Sequence, residues 1–167
     1  MAYAAHYASA DAVVAHLSTF VPRLSPDLQA QYTGFAAVSA VTVYELAIKE
    51  ILIEFSRRKH LVFGHFVQDQ YERINGRVGM KSLRGEHIPR FGPKYLARFD
   101  RLLNDEERRV LIAQRASVKS SYGNLVTWRH EFAHEGRLPM NATFLEVTRS
   151  YELGKRVIDC LAATMVR

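Results

Sequence analysis

Nine consecutive residues concentrate the groups best able to do chemistry: Trp128-Arg129-His130-Glu131-Phe132-Ala133-His134-Glu135-Gly136. They bring a guanidinium, two imidazoles and two carboxylates together, so anion binding, proton transfer and metal ligation are all within reach. Two overlapping patterns divide these residues. In His130-Glu131-x-x-His134 the histidines stand about 40° apart on a helix and could share one zinc ion, with the carboxylate as general base. A catalytic zinc needs a third ligand. No histidine follows His134, and Glu146 and Glu152 are the nearby downstream acids. Without a strand to bind a peptide, a zinc hydrolase ranks third among the readings.

The second pattern is Arg129-x4-His134. On a straight helix these side chains are about 7.5 Å apart along the axis and about 140° apart around it. One chain cannot bring both to a single phosphate unless its last turn opens. Two copies related by a two-fold axis could form one pocket with two arginines and two histidines.

A helix must hold these residues, and helical periodicity runs through the whole chain. Ser9 is expected to cap a first helix reaching about Phe20, with Val13, Val14 and Leu17 on one side. Ser25-Pro26-Asp27 places a cap, a first-turn proline and an acid in order. From there Leu28, Tyr32, Phe35, Val38, Val41, Tyr44, Leu46, Ile48, Leu52, Ile53 and Phe55 keep a wide apolar stripe as far as Arg58. That helix would be about 50 Å long, the spine of the fold. A shorter one should cover Leu61 to Ile74 and stop at Asn75-Gly76.

Residues 77–93, rich in Gly and Pro, read as a basic loop with one helical turn near Lys81 to Arg84. Another helix should run from Pro93 to about Leu103, with a fresh cap at Asn104 before Asp105-Glu106-Glu107. Residues 114–121 read either way, and Tyr122 to His134 reads as helix, ended by Gly136 and Pro139. Thr143-x-x-Glu146 is a capping box opening a last helix to about Met165. Nothing alternates with period two. The expectation is one all-α domain over residues 1–167, without repeats.

Hydrophobic residues make up 48% and charged residues 24% of the 167, a balance that excludes wholesale disorder. The N-terminus lacks the basic start and apolar core of a secretory signal, and Glu45, Lys49, Glu50 and Glu54 interrupt the most apolar stretch. Cys160 is alone, which leaves no disulfide framework. A cytoplasmic protein is expected.

The net charge of +6 is concentrated: residues 57–101 hold eleven basic residues against four acidic ones. Such a surplus suits a polyanion. Arg57, Arg58 and Lys59 are candidate RNA contacts, although cations also suit a helix C-terminus. Phe63, Phe66 and Tyr71 are expected in the core. Glu45, set among apolar neighbours, needs a partner, and Arg129 is the expected one; the alternative is that Glu45 faces solvent or pairs with Lys49 four residues on. His6, His16, His60, His65 and His87 are scattered and read as ordinary histidines.

Arg-His-Glu-Phe-Ala-His-Glu-Gly at 129–136 resembles the Arg-polar-x3-His signature of HEPN domains, small all-α ribonucleases of bacterial toxin and defence systems. Tyr44-Glu45-Leu46-Ala47-Ile48-Lys49-Glu50-Ile51-Leu52, the segment Phe91-Gly92-Pro93-Lys94-Tyr95 to Leu102, and the closing helix around Tyr151 are similar to the RiboL-PSP-HEPN branch. The likeness covers roughly residues 30–162. His130 stands where that family more often has Asn or Asp, and Glu135 separates the histidine from its glycine.

The resemblance implies a HEPN-like helical bundle that cleaves RNA as a homodimer without a metal or other cofactor. The ribose 2′-OH would attack the adjacent phosphate, with His134 as acid or base and His134 of a second copy as its complement. Arg129 would hold the phosphate, His130 would orient the catalytic group or add a phosphate contact, and Glu45 would support them from behind. A toxin or antiphage role, with an antitoxin or other regulatory protein as partner, follows from the same likeness. The alternative is a HEPN-like module without catalysis that binds RNA, a nucleotide or a protein.

Overall fold

In the structure, a computed structural model that describes residues 2–72 and 76–166, helices succeed one another along the chain. They are α1 (Tyr7–Ser18), α2 (Pro26–Lys59), α3 (Leu61–Tyr71), α4 (Met80–Ser82), α5 (Pro93–Gln114), α6 (Val118–Glu135) and α7 (Phe144–Thr164). Short 3-10 turns cover Ala2–His6, Val21–Arg23 and Pro89–Phe91, and a π turn covers Leu83–His87. No strand occurs among the described residues. The fold is all-α.

The 34-residue α2 is the spine, about 50 Å long. Asp27 lies in its first turn and Arg57, Arg58 and Lys59 in its last, each sign matched to the helix dipole. Elements α1, α3, α6 and α7 all pack against it. Its middle explains why. Ala36, Ala37, Ala40 and Ala47 are buried and let neighbouring helices approach, while Tyr44 fills the centre. The Tyr44 ring stacks on Tyr122 of α6 at 5.4 Å and on Tyr151 of α7 at 5.8 Å, and its hydroxyl donates to the Tyr151 carbonyl. Three helices are thus tied at one aromatic node, with the buried hydroxyl satisfied.

Several local expectations change. The first helix begins at Tyr7 with His6 at the cap, so Ser9 lies inside it. Leu28, Tyr32, Phe35 and Leu46 are exposed, so the α2 stripe is buried only in part. Phe63 and Phe66 are exposed too, while Tyr71 is buried. Helix α3 ends at Tyr71, and the expected stop at Ile74 and Asn75 falls outside the described residues. The stretch before Pro93 is a succession of turns anchored by buried Val78, Leu83, His87 and Ile88. Helix α5 runs unbroken through Asn104, because Leu103 and Val110 hold both halves on the core. Helix α6 starts earlier than expected, with the Ser117 hydroxyl accepting from the Ser120 amide at 3.0 Å. The Thr143 cap is as expected: its hydroxyl accepts from the Glu146 amide at 3.2 Å. No helix among the described residues is long and apolar enough to cross a membrane.

Candidate functional site

Helix α6 runs antiparallel to α2. Tyr122 stacks on Tyr44, and ten residues later the Phe132 ring covers Gly34 so closely that a Cβ there would clash with it. An isolated glycine inside a long helix is the sequence trace of this contact. The register fixes which face of α6 looks inward. Phe132 and Leu125 turn to α2, and His130 and His134 turn away.

The two imidazoles lie side by side with ring centroids 4.4 Å apart, both exposed. The helix stays α-helical to Glu135 and closes on Gly136, whose φ of 67° is a left-handed conformation natural to glycine. The Gly136 amide donates to the Phe132 carbonyl at 2.9 Å. The last turn therefore does not open, and His134 sits within it. Glu135 forms an exposed ion pair with Arg137 at 3.2 Å, so its charge is answered locally.

Arg129 points elsewhere. It is half-buried, and one of its terminal nitrogens lies 3.0 Å from where a Cβ on Gly76 would stand. Gly76, with φ 78°, brings its bare backbone against the guanidinium. Its amide donates to a Glu45 carboxylate oxygen at 2.9 Å. Glu45 and Arg129 thus meet at the same glycine without a direct ion pair. The carboxylate takes Lys49 as its charge partner at 2.9 Å, which corrects the expected Glu45–Arg129 pairing. The i, i+4 spacing wins because it costs no tertiary ordering. The Arg129 Nε is buried with no hydrogen-bond partner among the described residues. The wheel angle of about 140° is thus kept: guanidinium inward, imidazoles outward.

The metal reading finds little support in the donor set. Among the described residues no group of three His, Cys, Asp or Glu side chains could hold one ion. The His130–His134 pair stands without the third ligand that a catalytic zinc needs. Glu131 keeps one carboxylate oxygen buried and unpartnered among the described residues.

Arg57, Arg58 and Lys59 lie at the far end of α2. Gly34 marks the level of the α6 terminus, and 25 residues of helix place Lys59 about 35 Å from it. Arg57 pairs with Glu54 at 3.0 Å and donates to Gln68 at 2.7 Å, while Arg58 donates to the Met165 carbonyl at 3.1 Å. Lys59 lies over the Phe55 ring, 5.2 Å from its centroid. These cations are not part of the Arg129–His134 site.

A model of the RiboL-PSP-HEPN family matches residues 7–166, nearly the whole chain. The chain belongs to this family. No curated protein and no solved structure matches it. HEPN domains are all-α, many are ribonucleases, and they commonly bind RNA and dimerise. For a RiboL-PSP-HEPN chain, the stretch from Arg129 to His134 is accordingly the first place to look for function.

Proposed function

We propose that this protein is a metal-independent endoribonuclease that works as a homodimer, with Arg129, His130 and His134 of two copies lining one cleft. The observation that carries the reading is the split on α6: an intact helix presents paired imidazoles outward while the guanidinium lies about a third of a turn or more away. One chain cannot close such a site on a phosphate, and a second α6 facing the first can. The Arg129 Nε–H is buried, so the guanidinium must swing out from Gly76 to reach a phosphate oxygen.

In the reaction, one His134 takes the ribose 2′-OH proton as the oxygen attacks the adjacent phosphorus. The bond from phosphorus to the 5′ oxygen breaks, and the second His134, as imidazolium, protonates that leaving oxygen. Arg129 stabilises the charge growing on the non-bridging oxygens. His130, stacked beside His134, orients the ring and adds a phosphate contact. The products are a 2′,3′-cyclic phosphate and a free 5′-OH. A toxin or antiphage effector held in check by a regulatory protein is the setting this chemistry suits.

One observation favours a second reading, a HEPN-like module that binds RNA or a nucleotide without cutting it. Arg129 is half-buried against Gly76, a placement suited to a structural role. Incubating the protein with single-stranded RNA and matched DNA, with and without EDTA, separates the readings. Cleavage of RNA alone, surviving EDTA and leaving cyclic phosphate ends, is expected, since DNA lacks the attacking hydroxyl. His134→Ala should lower the rate by about 10²–10⁴-fold with its helical circular dichroism intact. RNA retained but uncut, or His134→Ala cutting at the wild-type rate, would count against the nuclease.

A further inference from the structure

Helix α3 presents two phenylalanines to solvent in the most basic part of the chain. Phe66 is 61% exposed and Phe63 37% exposed. Both line a groove of about 210 Å³ whose opposite side carries Phe91 and Arg90. Phe63 meets Phe91 edge-on at 6.2 Å, Phe91 meets Phe55 at 5.6 Å, and Phe55 meets Tyr95 at 5.2 Å. Cations border this aromatic cluster: Lys59 over Phe55 at 5.2 Å and Lys94 over Tyr95 at 5.0 Å. Arg90 is exposed and forms no ion pair with any described residue.

We infer that this groove is a binding site for single-stranded RNA, separate from the Arg129–His134 site, in which unpaired bases stack on Phe66 and Phe63 while Arg90 and Lys59 follow the phosphates. Exposed aromatic rings beside unpaired cations are what a sequence-tolerant single-strand surface requires: every base offers a π-face, and the backbone needs positive charge. A partner with only apolar side chains would leave Arg90 unanswered, and a fully paired duplex would keep its bases from the rings. The inference deepens the ribonuclease reading and rests on it, since a site level with Phe55, about 30 Å along α2 from Gly34, gives a long substrate a second hold. It also accounts for the basic middle of the chain, which the cleavage site does not use.

The test is fluorescence anisotropy with a labelled single-stranded RNA, in a His134→Ala background that prevents cutting. Phe66→Ala should weaken binding about 5- to 100-fold relative to that parent. Phe66→Trp should restore it, because a larger ring still stacks, and binding of the matched duplex should be unaffected. Phe66 is mostly exposed, so its truncation spares the core. With His134 present, Phe66→Ala should raise KM for long RNA and leave kcat alone. Equal affinity of Phe66→Ala and its parent would overturn the inference. Absence of cleavage by the wild type, with RNA affinity still dependent on Phe66, would remove the nuclease and keep the groove.

Discussion

His87 shows how a single buried side chain sets a pH limit on the fold. It is 3% exposed, and its Nε2–H donates to the Arg77 carbonyl at 2.8 Å. Burial pushes its pKa below the ordinary 6.5, against the smaller opposing effect of that hydrogen bond. Its Nδ1 is also buried and finds no partner among the described residues, so a second proton would have nowhere to donate. The folded protein therefore takes up this proton later than the unfolded chain does. Its contribution to stability is complete above pH 6.5 and is lost as pH falls from there through the depressed folded value. Thermal unfolding between neutral and mildly acidic pH should show this drop in the wild type and a flatter profile in His87→Asn. The same slope in both proteins would show that His87 is not the titrating group. Sequence alone makes His87 one of several scattered histidines; only the turns packed around it make it special.

Among the elements, local chemistry was legible and tertiary choices were not. Ser25-Pro26-Asp27 and Thr143-x-x-Glu146 mark the starts of α2 and α7: proline and acid open α2 without a side-chain hydrogen bond from Ser25, and the Thr143 hydroxyl caps α7. Asn104-Asp105-Glu106-Glu107 carries the same local signal and starts nothing. Burial of Leu103 and Val110 holds α5 together, and Asn104 instead accepts from the Lys119 ammonium at 2.6 Å. Phe63 and Phe66 read as core and face a solvent-open groove, because the turns carrying Arg90 and Phe91 cover their side of α3 only in part.

The site is a mixture. Arg129, His130 and His134 could be singled out by type and spacing, but the inward turn of Arg129 depends on the contact between Phe132 and Gly34. The buried Tyr122 hydroxyl ties the turns before Pro93 to α6 by donating to the Val78 carbonyl. Tyr122→Phe leaves that carbonyl unsatisfied and should cost about 1–3 kcal/mol, measured by urea unfolding. A loss near zero would mean that packing alone holds the segment.

For the whole molecule, α6 dictates where a second copy must dock. Its outward face carries Ser120, Gly123, Thr127, His130 and His134 at alternating three- and four-residue steps, small side chains leading to the imidazoles. The exposed Leu28, Tyr32 and Phe35 of α2 lie roughly on the other side of that helix from Tyr44, so a copy seated there would keep the two α6 termini apart. Gly123 tests the choice cleanly, because a Cβ added there meets nothing within 4 Å in one chain. Gly123→Leu should fold with unchanged helicity, sediment as a monomer and lose cleavage. A dimeric, active Gly123→Leu protein would place the interface elsewhere.

The requirement for two copies is tested most directly by mixing. Wild type and His134→Ala are combined in varied proportion, left to exchange subunits, and assayed for RNA cleavage at constant total protein. If both imidazoles serve one phosphate, mixed dimers are dead and activity falls as the square of the wild-type fraction. A strictly linear fall would mean that each chain cuts alone, contrary to a shared cleft.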